Sequence, residues 1–229
     1  LNTLSLFYEK LYVYLITKNK IAKKLDDLGI QKLSFLGLGK RKIVYKGTYA
    51  KKEVVIKIKR PDTTANPIPK EVKMLALLSK KKLAPKVLAH GKDFFVAEFV
   101  PGLFLKDWLV MASALEIKFV LGKVFEWCYL IDKMKISKEE MHHPLKHVLI
   151  DGKQIGMIDF ERAHETKDPK NVSQFVQFAI NYKPMLKGMT FNREELIEKT
   201  KEYKKTFGRK EFEEILEMLK IHILQNRNV

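Results

Sequence analysis

Residues 147–163 read HVLIDGKQIGMIDFERA and predict a β-hairpin that ends in a carboxylate. Two apolar strands, 147–150 and 155–160, flank a turn in which Asp151-Gly152 is a common pair of turn residues. Asp159 therefore lies near the end of the second strand. The chain on both sides of this hairpin has helical periodicity, so the fold must combine strands with helices.

The residues around the hairpin predict a helical C-terminal lobe. Apolar residues recur at helical spacing in four segments, which are residues 105–135, 172–182, 192–207 and 209–225. Asn192 and Glu195 form a candidate capping box at the start of the third segment. We expect this lobe to occupy residues 101–229.

The preceding residues predict a different unit, an antiparallel sheet with one helix. Apolar and polar residues alternate in residues 33–38, 43–49 and 53–59, and turn residues frame two more candidate strands, 86–89 and 94–100. Residues 71–78 have helical periodicity, and so do residues 4–28. Gly29 is the predicted stop signal after the second of these segments. The predicted fold class is α+β, with a helical extension (1–30), a five-stranded lobe (31–100) and the helical lobe.

Charge is distributed very unevenly along the chain. The 229 residues include 44 Lys and Arg against 27 Asp and Glu, which gives a net charge of +17. Residues 1–115 contain 23 basic and 9 acidic residues, whereas residues 116–229 contain 21 and 18. This asymmetry favours a polyanionic partner that meets the N-terminal half. A lysine-rich solvated surface is the alternative interpretation.

The overall composition excludes several classes of protein. At 46% hydrophobic and 31% charged residues, the chain is typical of a globular protein rather than a disordered or coiled-coil one. It has no apolar run of membrane-spanning length and no signal-peptide pattern, which predicts a cytoplasmic protein with no membrane partner. The lone cysteine, Cys128, lies in an apolar stretch and is expected to be a core thiol.

Candidate phosphate-binding residues cluster in the predicted sheet. Gly37 and Gly39 precede the cations 40–42 at a strand turn, where glycine lets backbone amides approach phosphate oxygens. An unliganded hairpin would favour glycine too. Lys57 follows on a strand and Glu71 on the next helix, and a lysine held by a helix glutamate can fix an ammonium against nucleotide phosphates. A surface lysine and a glutamate that favours the helix dipole are the alternative.

Taken in order, these motifs resemble those of the protein-kinase-like superfamily, and especially its small RIO-like archaeal kinases. The resemblance covers about residues 33–180 and rests on the glycine-rich turn, VVIK at 54–57, Glu71, EFVPG at 98–102 and DFE at 159–161. It implies a two-lobed kinase-like fold that binds ATP and Mg²⁺ between its lobes. The ATP-binding residues implied are Gly37, Gly39, Lys40, Lys42, Lys57 with Lys59 as a second candidate, Glu71, and Glu98 to Val100 at the adenine.

The resemblance also implies the catalytic residues, with departures. Asp159 would bind Mg²⁺, although Glu161 replaces the usual glycine of its motif and Lys42 the third loop glycine. Alignment of residues 147–150 on the family's Asn-Ile-Leu-Ile places His147 at a metal-binding asparagine and His142 at the catalytic aspartate.

His142 is the favoured general base because a neutral imidazole can act near pH 7. Glu140 is a second candidate base. Lys146 would stabilise the transferring phosphoryl group, and His147 would help to hold metal or phosphate. A structural or phosphate-contacting histidine loop is the alternative, and a zinc site is a weaker one.

Two features near Asp159 suggest the class of substrate, namely the short connection that follows it and the sequence motif that contains it. Residues 162–171 leave no room for a segment that binds an extended peptide. The signature IDFERA at 158–163, with a histidine-and-lysine loop, is similar to archaeal kinases that include a tRNA kinase. That kinase transfers the ATP γ-phosphate to a ribose 2′-hydroxyl of a variable-region uridine.

The resemblance therefore implies tRNA or another structured RNA as substrate, with no preference for DNA. Lysines 51–52 and 80–82 are candidate RNA contacts, and Arg162 and His164 could line the acceptor channel. The sequence leaves two alternatives, an atypical serine/threonine protein kinase and an RNA-binding pseudokinase. It does not indicate an oligomeric state.

Overall fold

The computed structural model describes residues 21–221, and these form two compact units of an α+β protein. The first unit comprises residues 21–79 together with Pro85–Phe99. The second comprises Lys80–Ala84 and residues 100–221. Of the helical extension predicted for residues 1–30, the structure describes only the end, as helix α1 (Ile21–Asp27). The rest lies outside the described residues.

The first unit is built on a five-stranded antiparallel sheet, which confirms the prediction. Its strands lie in the order β1-β2-β3-β5-β4 and comprise β1 (Gln31–Leu38), β2 (Lys42–Tyr49), β3 (Lys52–Lys59), β4 (Val87–His90) and β5 (Phe94–Glu98). The alternation in β3 buries Val54, Ile56 and Ile58 on one face, where they join a core that includes Leu25. The side chains of Lys57 and Lys59 are therefore directed to the other face.

Helix α2 (Ile68–Ser79) begins three residues before the predicted start. The prediction excluded Pro69, but proline is tolerated in the first helical turn because the backbone amide there has no intrahelical partner. The Asn66 side chain supports this start by accepting a hydrogen bond from the Ile68 amide at 3.1 Å. The helix buries four apolar side chains and also Glu71.

The second unit contains five helices among the described residues, α3 (Leu105–Met111), α4 (Ala114–Lys133), α5 (Asn171–Asn181), α6 (Arg193–Thr206) and α7 (Arg209–Met218). The helical periodicity over 105–135 corresponds to two helices, α3 and α4. Ser113 and Glu116 form a reciprocal capping box that starts a new helix, and the backbone at Ala112 is extended. At the cap predicted from the sequence, the Asn192 side chain accepts hydrogen bonds from the amides of Glu194 and Glu195.

The predicted hairpin is present, and a third strand extends it. Strands β8 (Val148–Asp151) and β9 (Gln154–Met157) pair, and β6 (Leu103–Phe104) adds to β8. Gly102 precedes β6 with a φ of +116°, and a Cβ there would lie 2.4 Å from the Ile150 carbonyl oxygen, so glycine is required. Strands β7 (Ile136–Ser137) and β10 (His164–Glu165) form a second pair. Each has only two residues, so an alternation of apolar and polar residues could not reveal them in the sequence.

Candidate functional site

Two lysines share one buried glutamate in the first unit. The Lys57 ammonium donates to Glu71 Oε1 at 2.7 Å, and the Lys42 ammonium makes a short ion pair with Oε2 of the same carboxylate. The exposed fractions of these side chains are 13% for Lys57, 7% for Lys42 and 1% for Glu71. The expected Lys57–Glu71 contact is therefore present, in a setting where little water screens it.

The sheet register explains why both lysines reach α2. Val44 pairs with Lys57, and Lys42 pairs with Lys59, so these four residues share one face of the sheet. The sequence suggested Lys42 as a phosphate-binding replacement for a loop glycine. The structure instead places it in the first position of β2, with its ammonium on Glu71.

Lys59 has a different environment from Lys57, although it lies on the same face. Its ammonium donates to the Thr63 carbonyl at 2.6 Å and to the Arg60 carbonyl at 3.3 Å. It therefore stabilises the loop after β3 rather than Glu71.

The predicted phosphate turn is a tight hairpin turn pinned by an arginine. The Gly39 amide donates to the Lys42 carbonyl at 2.8 Å, so this amide is used within the turn. Arg60 binds the turn twice, from its side chain to the Gly39 carbonyl at 3.0 Å and from its amide to the Arg41 carbonyl at 2.9 Å. Gly37 lies within β1, and Lys40 is exposed at the tip. Sequence reasoning missed the role of Arg60.

The two ends of the predicted adenine segment have separate surroundings. In the first unit, the Glu98 amide donates to the Lys86 carbonyl at 3.0 Å, and Glu98 Oε2 accepts from the Lys86 amide at 3.0 Å. Its carboxylate thus secures the edge strand. In the second unit, Val100 packs on Gly156, where an added Cβ would lie 2.1 Å from Val100 Cγ1.

Three acidic residues of the second unit have a left-handed backbone. The φ angles are +64° at Glu139, +61° at Glu140 and +61° at Asp159. Residues other than glycine seldom adopt this backbone region, and those that do are found more often at functional sites. Seven other non-glycine residues between 21 and 221 also have a positive φ, so this geometry does not by itself mark a functional site.

A buried polar network holds the loop that contains Glu139 and Glu140. The Asn171 side chain accepts from the Lys138 amide at 2.8 Å and donates to Asp132 Oδ1 at 2.7 Å. Asp132 Oδ2 accepts from the Tyr203 hydroxyl at 2.9 Å, and burial raises the pKa of the Asp132 carboxyl. Sequence reasoning missed this network, because its members are far apart in the chain.

The histidines lie along this loop. His142 is half-buried and its ring centre is 4.4 Å from that of exposed His143, whose Nδ1 is 3.3 Å from the Tyr182 hydroxyl. A 3-10 turn, Pro144–Lys146, follows and leaves Lys146 exposed. The His147 carbonyl accepts from the Ile158 amide at 3.0 Å, which places His147 and Asp159 at the same end of the hairpin.

Glu140 is engaged by the segment that follows Asp159. Its Oε1 lies 2.7 Å from Arg162 Nη1, and the neighbouring Glu139 Oε1 lies 3.8 Å from His164 Nε2. A base at Glu140 would have to give up its arginine partner before it accepts a proton. Arg162 therefore contacts the loop through Glu140, and His164 lies beside Glu139.

The donor set fits magnesium at Asp159 better than at His147. Mg²⁺ is commonly bound by one or two carboxylates, with substrate phosphates and waters completing the shell. Asp159 supplies such a carboxylate, whereas imidazole suits zinc, copper, iron and nickel. Between residues 21 and 221 no group of three or more His, Cys, Asp or Glu side chains could hold a metal ion by itself. His147 therefore fits a phosphate contact better than a metal ligand.

Comparison with known proteins gives no family for the chain. No protein-family model matches it, and no curated protein matches it either.

Within residues 21–221, no helix has both the length and the apolar character needed to cross a membrane. Cys128 is buried, as expected, and burial raises the pKa of its thiol.

Proposed function

We propose that this protein is an ATP-dependent RNA kinase of the RIO-like class. The proposed acceptor is a ribose 2′-hydroxyl of structured RNA, with the variable-region uridine of tRNA as the first candidate. The observation that carries the proposal is the 2.7 Å contact between Lys57 and Glu71. The β8–β9 hairpin supports it, because the motif order requires a hairpin immediately before Asp159.

The residues proposed to bind the nucleotide are those of the kinase-like motifs. The Lys57 ammonium, held by Glu71, neutralises charge on the α and β phosphates, and backbone groups of residues 98–100 bind the adenine. Asp159 holds the metal ion that, when bound, neutralises charge on the phosphate oxygens. His147 and Lys146 contact the transferring phosphoryl group.

In the transfer step, His142 takes the proton of the acceptor hydroxyl. The oxygen then bonds to the γ-phosphorus while the bond from that phosphorus to the bridging oxygen breaks, so that ADP leaves. Phosphoryl transfer through a loose transition state depends chiefly on position and charge. An imidazole base is therefore compatible with the chemistry.

Two features support RNA rather than protein as the acceptor. The net charge of +17 favours a polyanion, since each neutralised phosphate releases counterions. Residues 160–170 are the whole connection between Asp159 and α5, which is short for a segment that binds an extended peptide.

The direct test is a transfer experiment with γ-labelled ATP, Mg²⁺, and equal amounts of unmodified tRNA and a mixed protein fraction. We expect label on the tRNA, at a single nucleotide that nuclease digestion locates. Label on protein alone would indicate a protein kinase instead. Nucleotide binding without label on either fraction would indicate a pseudokinase.

Substitution of the proposed base gives a second test. We expect His142→Ala to reduce single-turnover transfer by about 10²-fold or more, with ATP affinity unchanged, because proton removal is lost and phosphate binding is not. Added imidazole should restore part of the rate by filling the space of the missing ring.

His143→Ala is the matched control for that test, since it removes the adjacent, exposed imidazole. It should change the rate by less than about threefold, because His143 is not the proposed proton acceptor. If His142→Ala transfers phosphate at nearly the normal rate, the base is Glu140 or none.

A further inference from the structure

A groove with cationic walls runs between α5 and α6 in the second unit. It encloses a cavity of about 580 Å³. Four cations line it, Lys170, Arg193, Lys201 and Lys204, against a single acidic side chain, Asp168. This concentration of positive charge contrasts with the C-terminal half as a whole, which has 21 basic and 18 acidic residues.

Helical spacing explains how these side chains share one groove. Arg193, Lys201 and Lys204 lie at positions i, i+8 and i+11 of α6, which is one face of a helix. From Arg193 to Lys204 the helix rises by about 16 Å. The cations are thus spread along the groove rather than gathered at one point. Contacts to a phosphate backbone need such a spread, because the phosphates follow one another along the chain.

The ion pairs inside the groove leave part of this charge available. Lys204 is paired with Asp168 and donates to the Pro169 carbonyl at 2.9 Å, and Lys201 lies 2.6 Å from Glu198. Lys170 and Arg193 are exposed and make no ion pair with any other residue in 21–221. An anion can therefore bind at both ends of the groove.

The remaining lining suits a nucleic acid. Val176, Ile180 and Ile197 provide apolar surface, and Gln177 and Asn181 add amide groups. Apolar surface between cations can accept ribose and base faces while the cations neutralise phosphates. We propose that this groove binds the backbone of a structured RNA, and the choice of RNA as occupant rests on the proposed function.

Helix α5 connects this groove to the predicted catalytic loop. Gln174, on the same helix, accepts a hydrogen bond from the Met141 amide at 3.0 Å, next to His142. Asn171, at the start of the helix, holds the Lys138 amide. RNA seated in the groove is thus fixed relative to the loop through a single rigid element.

The test compares two charge-matched double variants of the full chain. Arg193→Glu with Lys201→Glu alters the groove, whereas Lys205→Glu with Lys210→Glu changes exposed lysines of α6 and α7 that do not line it. Both variants lower the net charge equally. Circular dichroism and thermal unfolding show whether each one folds, and fluorescence anisotropy measures the binding of labelled tRNA without ATP over a series of salt concentrations.

We expect the groove variant to bind tRNA at least about tenfold more weakly than the control at about 0.1 M salt. Its slope of log affinity against log salt should also be shallower by about 1 to 2. Equal affinities for the two variants would overturn the inference, and so would displacement of tRNA from wild type by an acidic polypeptide but not by a second RNA.

The two proposals can fail separately. Weakened RNA binding by the groove variant supports the groove even if no phosphate is transferred to RNA. Transfer to RNA with equal binding by both variants would preserve the kinase proposal and remove the groove.

Discussion

Asp159→Asn is expected to reduce phosphate transfer to RNA by at least about 10³-fold. The substitution removes the carboxylate charge that would hold the metal ion, and an amide is a far weaker ligand for a hard cation. The fold should survive, because asparagine tolerates the left-handed backbone that residue 159 adopts, with a φ of +61°. An alanine there would add backbone strain to the loss of charge, so asparagine is the cleaner variant.

Asp151→Asn is the control for this experiment. Asp151 ends strand β8 of the same hairpin and is exposed at its turn, away from the end that contains His147. We expect near-normal transfer from it in a single-turnover assay with labelled ATP. If Asp159→Asn transfers phosphate within about fivefold of wild type, the kinase proposal fails as a whole.

Much of the first unit could be predicted from the sequence because strands β2 and β3 alternate between buried and more exposed residues. The sheet faces solvent or helix on one side and core on the other, so Val54, Ile56 and Ile58 repeat every second residue. The differences between prediction and structure lie at helix boundaries, where a single residue can determine where a helix begins. The pattern predicts a helix that starts at residue 71, whereas Pro69 lies in its first turn, and the capping role of Ser113 is hidden within a long apolar stretch.

The candidate site was predictable in part for a different reason. The order of motifs indicated that Lys57 would meet Glu71, and the hairpin indicated where Asp159 would lie. The second lysine on Glu71 was not predictable, because Lys42 is 29 residues away and reaches the carboxylate only through strand register. The same holds for Asp132 and Tyr203, 71 residues apart, since sequence spacing does not report such contacts.

The backbone angles were also beyond sequence reasoning. Glu139, Glu140 and Asp159 are residue types that usually have negative φ, and the chain adopts the left-handed region there because the surrounding contacts fix it. The Asn171 hydrogen bond to the Lys138 amide is one such contact.

Lys57→Met is expected to reduce transfer by about 10² to 10³-fold, mainly through loss of charge on the nucleotide phosphates. The fold should be retained, because Lys42 remains on Glu71 and the buried carboxylate keeps a cationic partner. Lys59→Met is the control on the same strand and face, since its ammonium binds the Thr63 carbonyl instead. Single-turnover transfer and ATP affinity measured for both variants would separate the phosphate role from a general effect of lost charge.

Lys42→Met decides which of the two lysines meets the phosphates. The Lys57–Glu71 pair survives in this variant, so we expect a smaller loss than the about 10²-fold typical of removing a direct donor. If Lys42→Met is instead the more damaged variant and Lys57→Met retains most of its rate, the roles are reversed. The glutamate would then position the lysine of β2 for the nucleotide, and Lys57 would serve mainly to neutralise a buried carboxylate.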